Sequence, residues 1–376
     1  MSPTAGTSCR NPGLSEPETK EQWRQYLTEE PPAAPRLPPY RDYLSLPPEE
    51  AEDLVDARCD YHSALVIVDT PPMRELDRAV NLRLRLNRYA PAGARRGIAI
   101  DGAAESGKST AVKQIARRVE LGMRAKHPEQ FTGPGPDFAP IGYISLDNKA
   151  TPRTIAVSLN NFYCTGDVSK SDTAARLTDR AVRAMHRCST LLIIVDDIHF
   201  LNISINDGKH ANDYLKSLMN SVPATFLYTG IEIVNSGLFQ EGGSSRRKTQ
   251  TAGRFTAYQM GWFTVRNKAE AEQWIRVVAG FEDALRLYHH PQRSLATKHW
   301  RYLHERTQGS MAALSALVRE SAIDAILTGE EAVTVDVLDR QRTSINTQKA
   351  TVGDRPRPRR RKKGATAEAQ PSPVAL

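Results

Sequence analysis

The stretch "GIAIDGAAESGKST", residues 97–110, constrains this chain more than any other. A short β-prone apolar run passes into a helix through a loop of the pattern G-x-x-x-x-G-K-[ST], in the order strand, loop, helix that such a loop requires. Gly102 and Gly107 let the backbone wrap tightly, so that its N–H groups and the start of the helix face phosphate oxygens. The expected ATP-binding residues are therefore Gly102, Ala103, Ala104, Glu105, Ser106, Gly107, Lys108, Ser109 and Thr110. Within them, Lys108 is expected to reach the β- and γ-phosphates and Ser109 to offer its hydroxyl to Mg²⁺.

About ninety residues further on, "TLLIIVDDIHFL" (190–201) runs five apolar residues into two aspartates. A buried strand ending at Asp196 would bring a carboxylate beside the loop's Mg²⁺, and Asp197 would polarise an attacking water. The strand "ATFLYTG" carries Thr229 near its end, a polar group suited to sensing the γ-phosphate or the water. "TAGRF" puts Arg254 just before the last strand, from where it could reach a neighbouring subunit's nucleotide as an arginine finger.

Strand-like runs "GIAI", "PIGYISL", "TLLIIVD", "ATFLYTG" and "RFTAYQM" alternate with helical stretches across 97–265, which predicts an α/β domain with a parallel sheet covered on both faces. "KSTAVKQIARRVELGMRAKH" predicts the helix after the loop, and a Pro- and Gly-rich stretch, "TGPGPDFAP", closes it. Upstream, residues 1–48 are Pro-rich and predict an extended arm, interrupted by one helix at "KEQWRQYL". Residues 49–96 form a helical segment, with helices over 49–68 and 72–88; Met73, Leu76, Val80 and Leu84 share a face of the second. From 266 to 349 the strands stop, and amphipathic helices predict a small all-helical domain, one stripe being Trp274, Val277, Val278, Phe281 and Leu285. Residues 350–376 predict a disordered basic tail.

Charge adds little beyond that tail. The net charge of +8 falls to about +1 once "RPRPRRRKK" at 355–363 is set aside, so a basic surface on the folded body must be argued locally. Four scattered cysteines with no CxxC pair suggest neither a zinc site nor a disulfide framework. No apolar run approaches the ~18 residues of a membrane span, and the N-terminus lacks a signal-peptide pattern, so the expected location is cytoplasmic with no membrane partner.

The phrases "VDDIHFLN", "PATFLYTGIEIVNSGLF", "TAGRF" and "GSMAALSALVRESAIDAIL" resemble the TniB-type transposition ATPases, relatives of the TnsC and MuB proteins in the AAA+ superfamily. "WRQYL", "LPPYRDY", "DYHSALVIVDTPPM" and "LNRYAPAGARRG" are similar to that family's approach to its phosphate loop, and the resemblance spans roughly 20–345. It implies an AAA+ P-loop NTPase with a sheet of order 5-1-4-3-2 and a C-terminal helical lid. It further implies ATP-dependent assembly as a homo-oligomeric filament or ring on double-stranded DNA, independent of base sequence, and recruitment or stimulation of a DDE transposase. In related filament formers the residues after the second strand line the DNA, which here points to Lys149, Thr151 and Arg153.

Three positions depart from the pattern. Glu105 adds an acid inside the phosphate loop, Asp197 replaces the usual Glu, and Ala312 stands near the position of a lid arginine. A displacement of about 1 Å in a water-activating group can cost ~10²-fold in rate, so slow hydrolysis is expected. The same departures admit a second reading, a nucleotide-gated protein-interaction module in defence or secretion without DNA function. An initiator-type replication ATPase ranks last, because only about thirty residues follow 345 and a winged-helix domain normally follows the lid.

Overall fold

The computed structural model describes residues 16–342 apart from 65, 133–136, 148–149, 202–205, 237–238 and 240–251. Lys149 and the basic tail lie outside the described residues.

Five short strands, β1 (Gly97–Asp101), β2 (Ile141–Ser145), β3 (Leu192–Asp196), β4 (Thr225–Gly230) and β5 (Phe255–Gln259), pair in parallel in the order β2-β3-β4-β1-β5. Read from the other edge, this is the expected 5-1-4-3-2. The apolar runs of β1, β3 and β4 are buried along their whole length, as strands covered on both faces must be, whereas the edge strand β5 is only half-buried. Pairing of Ile100 with Thr229 and of Ser145 with Asp196 brings the C-terminal ends of β1 to β4 to one edge. Ligands of open α/β sheets sit at that edge.

Helices α1 (Lys20–Thr28), α2 (Tyr40–Tyr43), α3 (Pro48–Ser63) and α4 (Pro71–Asn87) precede the sheet. Between its strands lie α5 (Lys108–Lys126), α6 (Glu129–Thr132), α7 (Pro152–Phe162), α8 (Ala174–Arg187) and α9 (Asn206–Ser221). Beyond β5 come α10 (Lys268–Asp283), α11 (Trp300–Thr307), α12 (Met311–Leu327) and α13 (Val335–Arg340).

These elements share two cores. The larger unites the sheet with α5, α7 and α9 and takes in Met73, Leu76 and Val80 of α4, the three leading positions of the predicted stripe. It also takes in Trp23 and Leu27 of α1, so the helix within the Pro-rich arm is anchored, and the Trp23 indole donates to Glu120 Oε2 at 2.7 Å. The smaller core is the helical lid, built on Trp274, Val277, Val278 and Phe281 with Leu303, Leu314 and Leu317; Leu285 packs on it from beyond the end of α10.

α3 belongs to the lid, where it packs along α12. The buried Arg58 guanidinium pairs with the Glu331 carboxylate and donates to the Arg286 carbonyl, while Arg319 of α12 donates to the carbonyls of His62 and Ser63. The helix predicted over 49–68 stops at Ser63, where Ala64 turns to extended backbone (φ −71°, ψ 150°), and residues 66–70 form no helix. At the start of α4, Pro71 disfavours helical backbone at Thr70, whose hydroxyl caps the helix by accepting from the Met73 amide at 3.3 Å.

Candidate functional site

The phosphate-loop sequence forms the turn it predicts, joining β1 to α5. Gly107 has φ 89°, a left-handed conformation that a side chain would strain, and a Cβ on Gly102 would come within 2.0 Å of the Met260 carbonyl oxygen. Both glycines are therefore fixed by geometry. The carbonyls of residues 102–105 all accept hydrogen bonds. Lys108 Nζ donates to Gly102 O (3.0 Å) and Ala103 O (2.6 Å), the Trp262 indole to Ala104 O (2.8 Å), and the Ala312 amide to Glu105 O (3.2 Å). Burial holds the Lys108 ammonium below its ordinary range, an effect opposed by Asp196, Asp197 and Asp101.

At the adjoining strand ends, Asp196 is fully buried. Its Oδ2 accepts from the Tyr143 hydroxyl at 2.9 Å, and its Oδ1 accepts from the Asp197 amide at 3.0 Å and from the Thr229 hydroxyl. Thr229 thus faces the carboxylate and orients it. Tyr143, with its proton held firmly by burial and by Asp196, is a donor that stays a donor.

Asp197 follows in left-handed backbone (φ 55°), with Oδ2 3.5 Å from the Ser145 hydroxyl and Oδ1 3.8 Å from His199 Nδ1. Burial, then the Asp196 charge, pushes the Asp197 carboxyl above the usual carboxylate range, which makes it a better proton acceptor. The His199 imidazole is held below its ordinary range, chiefly by burial, so near neutral pH the pair is a neutral ring beside a carboxylate.

The donors Ser109 Oγ and the Asp196 carboxylate are hard oxygens. Among the described residues no group of three or more His, Cys, Asp or Glu could hold a metal by itself. That combination fits Mg²⁺, which takes one or two protein ligands and fills its shell with phosphate oxygens and water.

A cavity of about 140 Å³ opens beside Ser106, Gly107 and Thr110. Its walls are Val66, Val68, Thr70 and Met73 from the connector and α4, Ala111 from α5, and Phe281, Met311, Ala312 and Ser315 from the lid. An apolar slot next to a phosphate cradle suits the flat base of a nucleotide. The buried Ser315 hydroxyl, without a hydrogen-bond partner among the described residues, offers that base one polar contact. Several of these wall residues lie within the family-like phrases, but their meeting around one cavity follows from no motif. Nor does Asp101, whose Oδ1 accepts from the Ile233 amide at 3.1 Å and so ties the segment after β4 to the end of β1.

Three expected positions lie away from this cluster. Arg254 stands at the start of β5, the opposite end of the sheet from the loop, and donates to Asn220 Oδ1 at 3.0 Å. Thr151 caps α7 by accepting from the Thr154 amide, and Arg153 donates to the carbonyls of Ser169 and Lys170 at 3.0 and 3.2 Å.

Residues 92–235 match a family described as AAA domain. No curated protein matches the sequence. Among solved structures, the Orc1 protein of Aeropyrum pernix in complex with DNA is similar with a TM-score of 0.52 at 14% identity, covering 77% of this chain and 67% of that one. The ADP form of the Aeropyrum pernix ORC2 protein gives 0.51 at 14%, covering 71% and 66%. These likenesses concern the fold. The chain has the AAA+ P-loop fold, with a five-stranded parallel sheet and C-terminal helices.

Proposed function

We propose that this AAA+ chain is a slow ATPase that assembles on double-stranded DNA and regulates DNA transposition by recruiting or stimulating a DDE transposase. The observation that carries the ATPase reading is the convergence of the Gly102–Gly107 loop, Lys108, Asp196 and Asp197 at one sheet edge, beside a cavity fit for a base. On binding, Lys108 Nζ exchanges the carbonyls of Gly102 and Ala103 for phosphate oxygens. The loop amides and the start of α5 receive the remaining phosphate charge. Ser109 and Asp196 would hold Mg²⁺, which would supply charge neutralisation at the phosphates. Asp197 takes the proton of the attacking water, and Thr229 and Tyr143 keep Asp196 in place while it does so.

The transposition reading is supported by the ordered family phrases rather than by the fold, which other AAA+ proteins share. DNA contact would come from Lys149, Thr151 and Arg153 through backbone phosphates. The second reading, a nucleotide-gated protein-interaction module without DNA function, is favoured by one observation: the Arg153 guanidinium is already engaged with Ser169 and Lys170. Co-sedimentation with duplex DNA separates the two. The first expects ATP-dependent pelleting at low salt that fades as salt rises; folded, ATP-bound protein that stays in the supernatant overturns it. Replacing Lys108 with Ala is expected to abolish both nucleotide binding and assembly, as read by equilibrium binding and light scattering.

A further inference from the structure

The phosphate loop is held from outside itself. Two of its carbonyls are bonded by its own Lys108, and those bonds are exchanged when phosphate arrives. The other two are bonded by residues that a phosphate does not displace. Ala104 O accepts from the Trp262 indole at 2.8 Å, and Glu105 O accepts from the Ala312 amide at 3.2 Å and the Ser310 hydroxyl at 3.3 Å. Trp262 lies in the connector between β5 and α10; Ser310 and Ala312 are the cap and second residue of α12. The connector is bound to both bodies. The Met260 amide donates to Asp101 O at 2.7 Å, extending the β1–β5 ladder, and the Phe263 amide donates to Gly309 O at 2.9 Å, at the foot of α12.

In a trans peptide the C=O and the following N–H point in opposite directions. A donor that fixes the carbonyl of Ala104 therefore fixes the direction of the Glu105 amide, and one that fixes the carbonyl of Glu105 fixes the Ser106 amide. With both carbonyls turned to the lid, both amides turn to the phosphate side. Glu105 holds left-handed backbone (φ 61°), a strained conformation for a non-glycine residue that outside support must offset.

We propose that Trp262 and Ser310 are positioning residues that lock two peptide planes of the phosphate loop in their anion-accepting orientation, so that lid position sets nucleotide affinity through the loop backbone. Resting on the ATP-site reading above, this gives the lid a grip on the phosphates at the helix where Ala312 supplies no charge. Rotation of the lid away from the sheet removes the Ser310 and Ala312 donors and pulls on the connector that carries Trp262, and the two amides lose their aim.

Trp262→Phe keeps a ring of similar size and deletes the indole N–H, so it separates the hydrogen bond from packing. Hydrogen–deuterium exchange of the nucleotide-free protein is expected to show the Ala312 amide, which is bonded to the loop at Glu105 O, exchanging about three- to tenfold faster in W262F as the loop loosens, with β1 unchanged. ATP affinity falls by a similar factor. Ser310→Gly, which a helix N-cap tolerates well, moves the exchange the same way by less, because the Trp262 donor remains. Wild-type exchange at Ala312 in W262F overturns the proposal. If the loop opens faster in W262F while the wild-type protein itself fails to bind ATP, the ATP-site reading falls and the lock stands.

Discussion

Asp197 shows how a single residue can be caught between two demands. Its backbone sits at φ 55°, a region that Asp tolerates better than Glu, because a short polar side chain can hydrogen-bond locally. The proposed water-activating role asks for reach, and Asp is one methylene shorter than the Glu usual at this position. Asp197→Glu is therefore expected to raise the single-turnover hydrolysis rate by roughly ten- to a hundredfold and to lower thermal stability slightly; an unchanged rate would show that another group activates the water. Thr229→Val makes a complementary test. It keeps the shape and removes the donor to Asp196 Oδ1, which leaves that oxygen the Asp197 amide. Hydrolysis is expected to fall while nucleotide affinity without Mg²⁺ stays put, and Thr229→Ser should restore it. The identities of these residues were readable from strand ends beside a phosphate loop. Their wiring was not, because which lone pair of Asp196 meets Thr229 depends on the registers of β2, β3 and β4 together.

At the scale of elements, the five strands and the loop were legible because each is written in contiguous residues: a buried apolar run, or glycines at fixed offsets. The base-side cavity was not. Its walls pair Val66, Val68 and Met73 with Phe281, Met311 and Ser315, positions some two hundred residues apart whose types read as ordinary core. The same distance hid the union of α3 with α12. That union carries a titratable group: His62 Nε2 accepts from the Arg286 amide at 3.2 Å, and burial, then the charges of Arg58 and Arg286, depress its pKa to about 4. Below its ordinary value near 6.5 the unfolded chain takes up a proton that the folded chain refuses. Stability is thus full above about 6.5 and declines as pH falls toward about 4, by up to roughly 3 kcal/mol. Urea midpoints measured across this window, compared with those of His62→Gln, should show the decline in wild type and a flatter difference in the variant.

At the scale of the whole molecule, the placement of Arg254 decides how many chains make one working site. Arg254 precedes β5, and the phosphate loop lies beyond the far end of that sheet, some five residues of strand or about 16 Å away. It therefore cannot reach the nucleotide of its own chain. If it serves catalysis, a second copy must present it, and the contact is head-to-tail, the type that closes into rings or runs on as filaments. Arg254→Ala should keep nucleotide binding and lose hydrolysis. Asp197→Asn should do the same for a different reason, because its site is dead while its own Arg254 remains intact. Mixed in equal amounts, the two inactive variants form interfaces at random, and about a quarter of them join an intact site to an intact arginine. Hydrolysis is then expected to recover to about a quarter of the wild-type rate, measured by phosphate release in the presence of duplex DNA. No recovery on mixing, with both variants folded and assembled, would place the finger elsewhere and make Arg254 a surface residue bonded to Asn220.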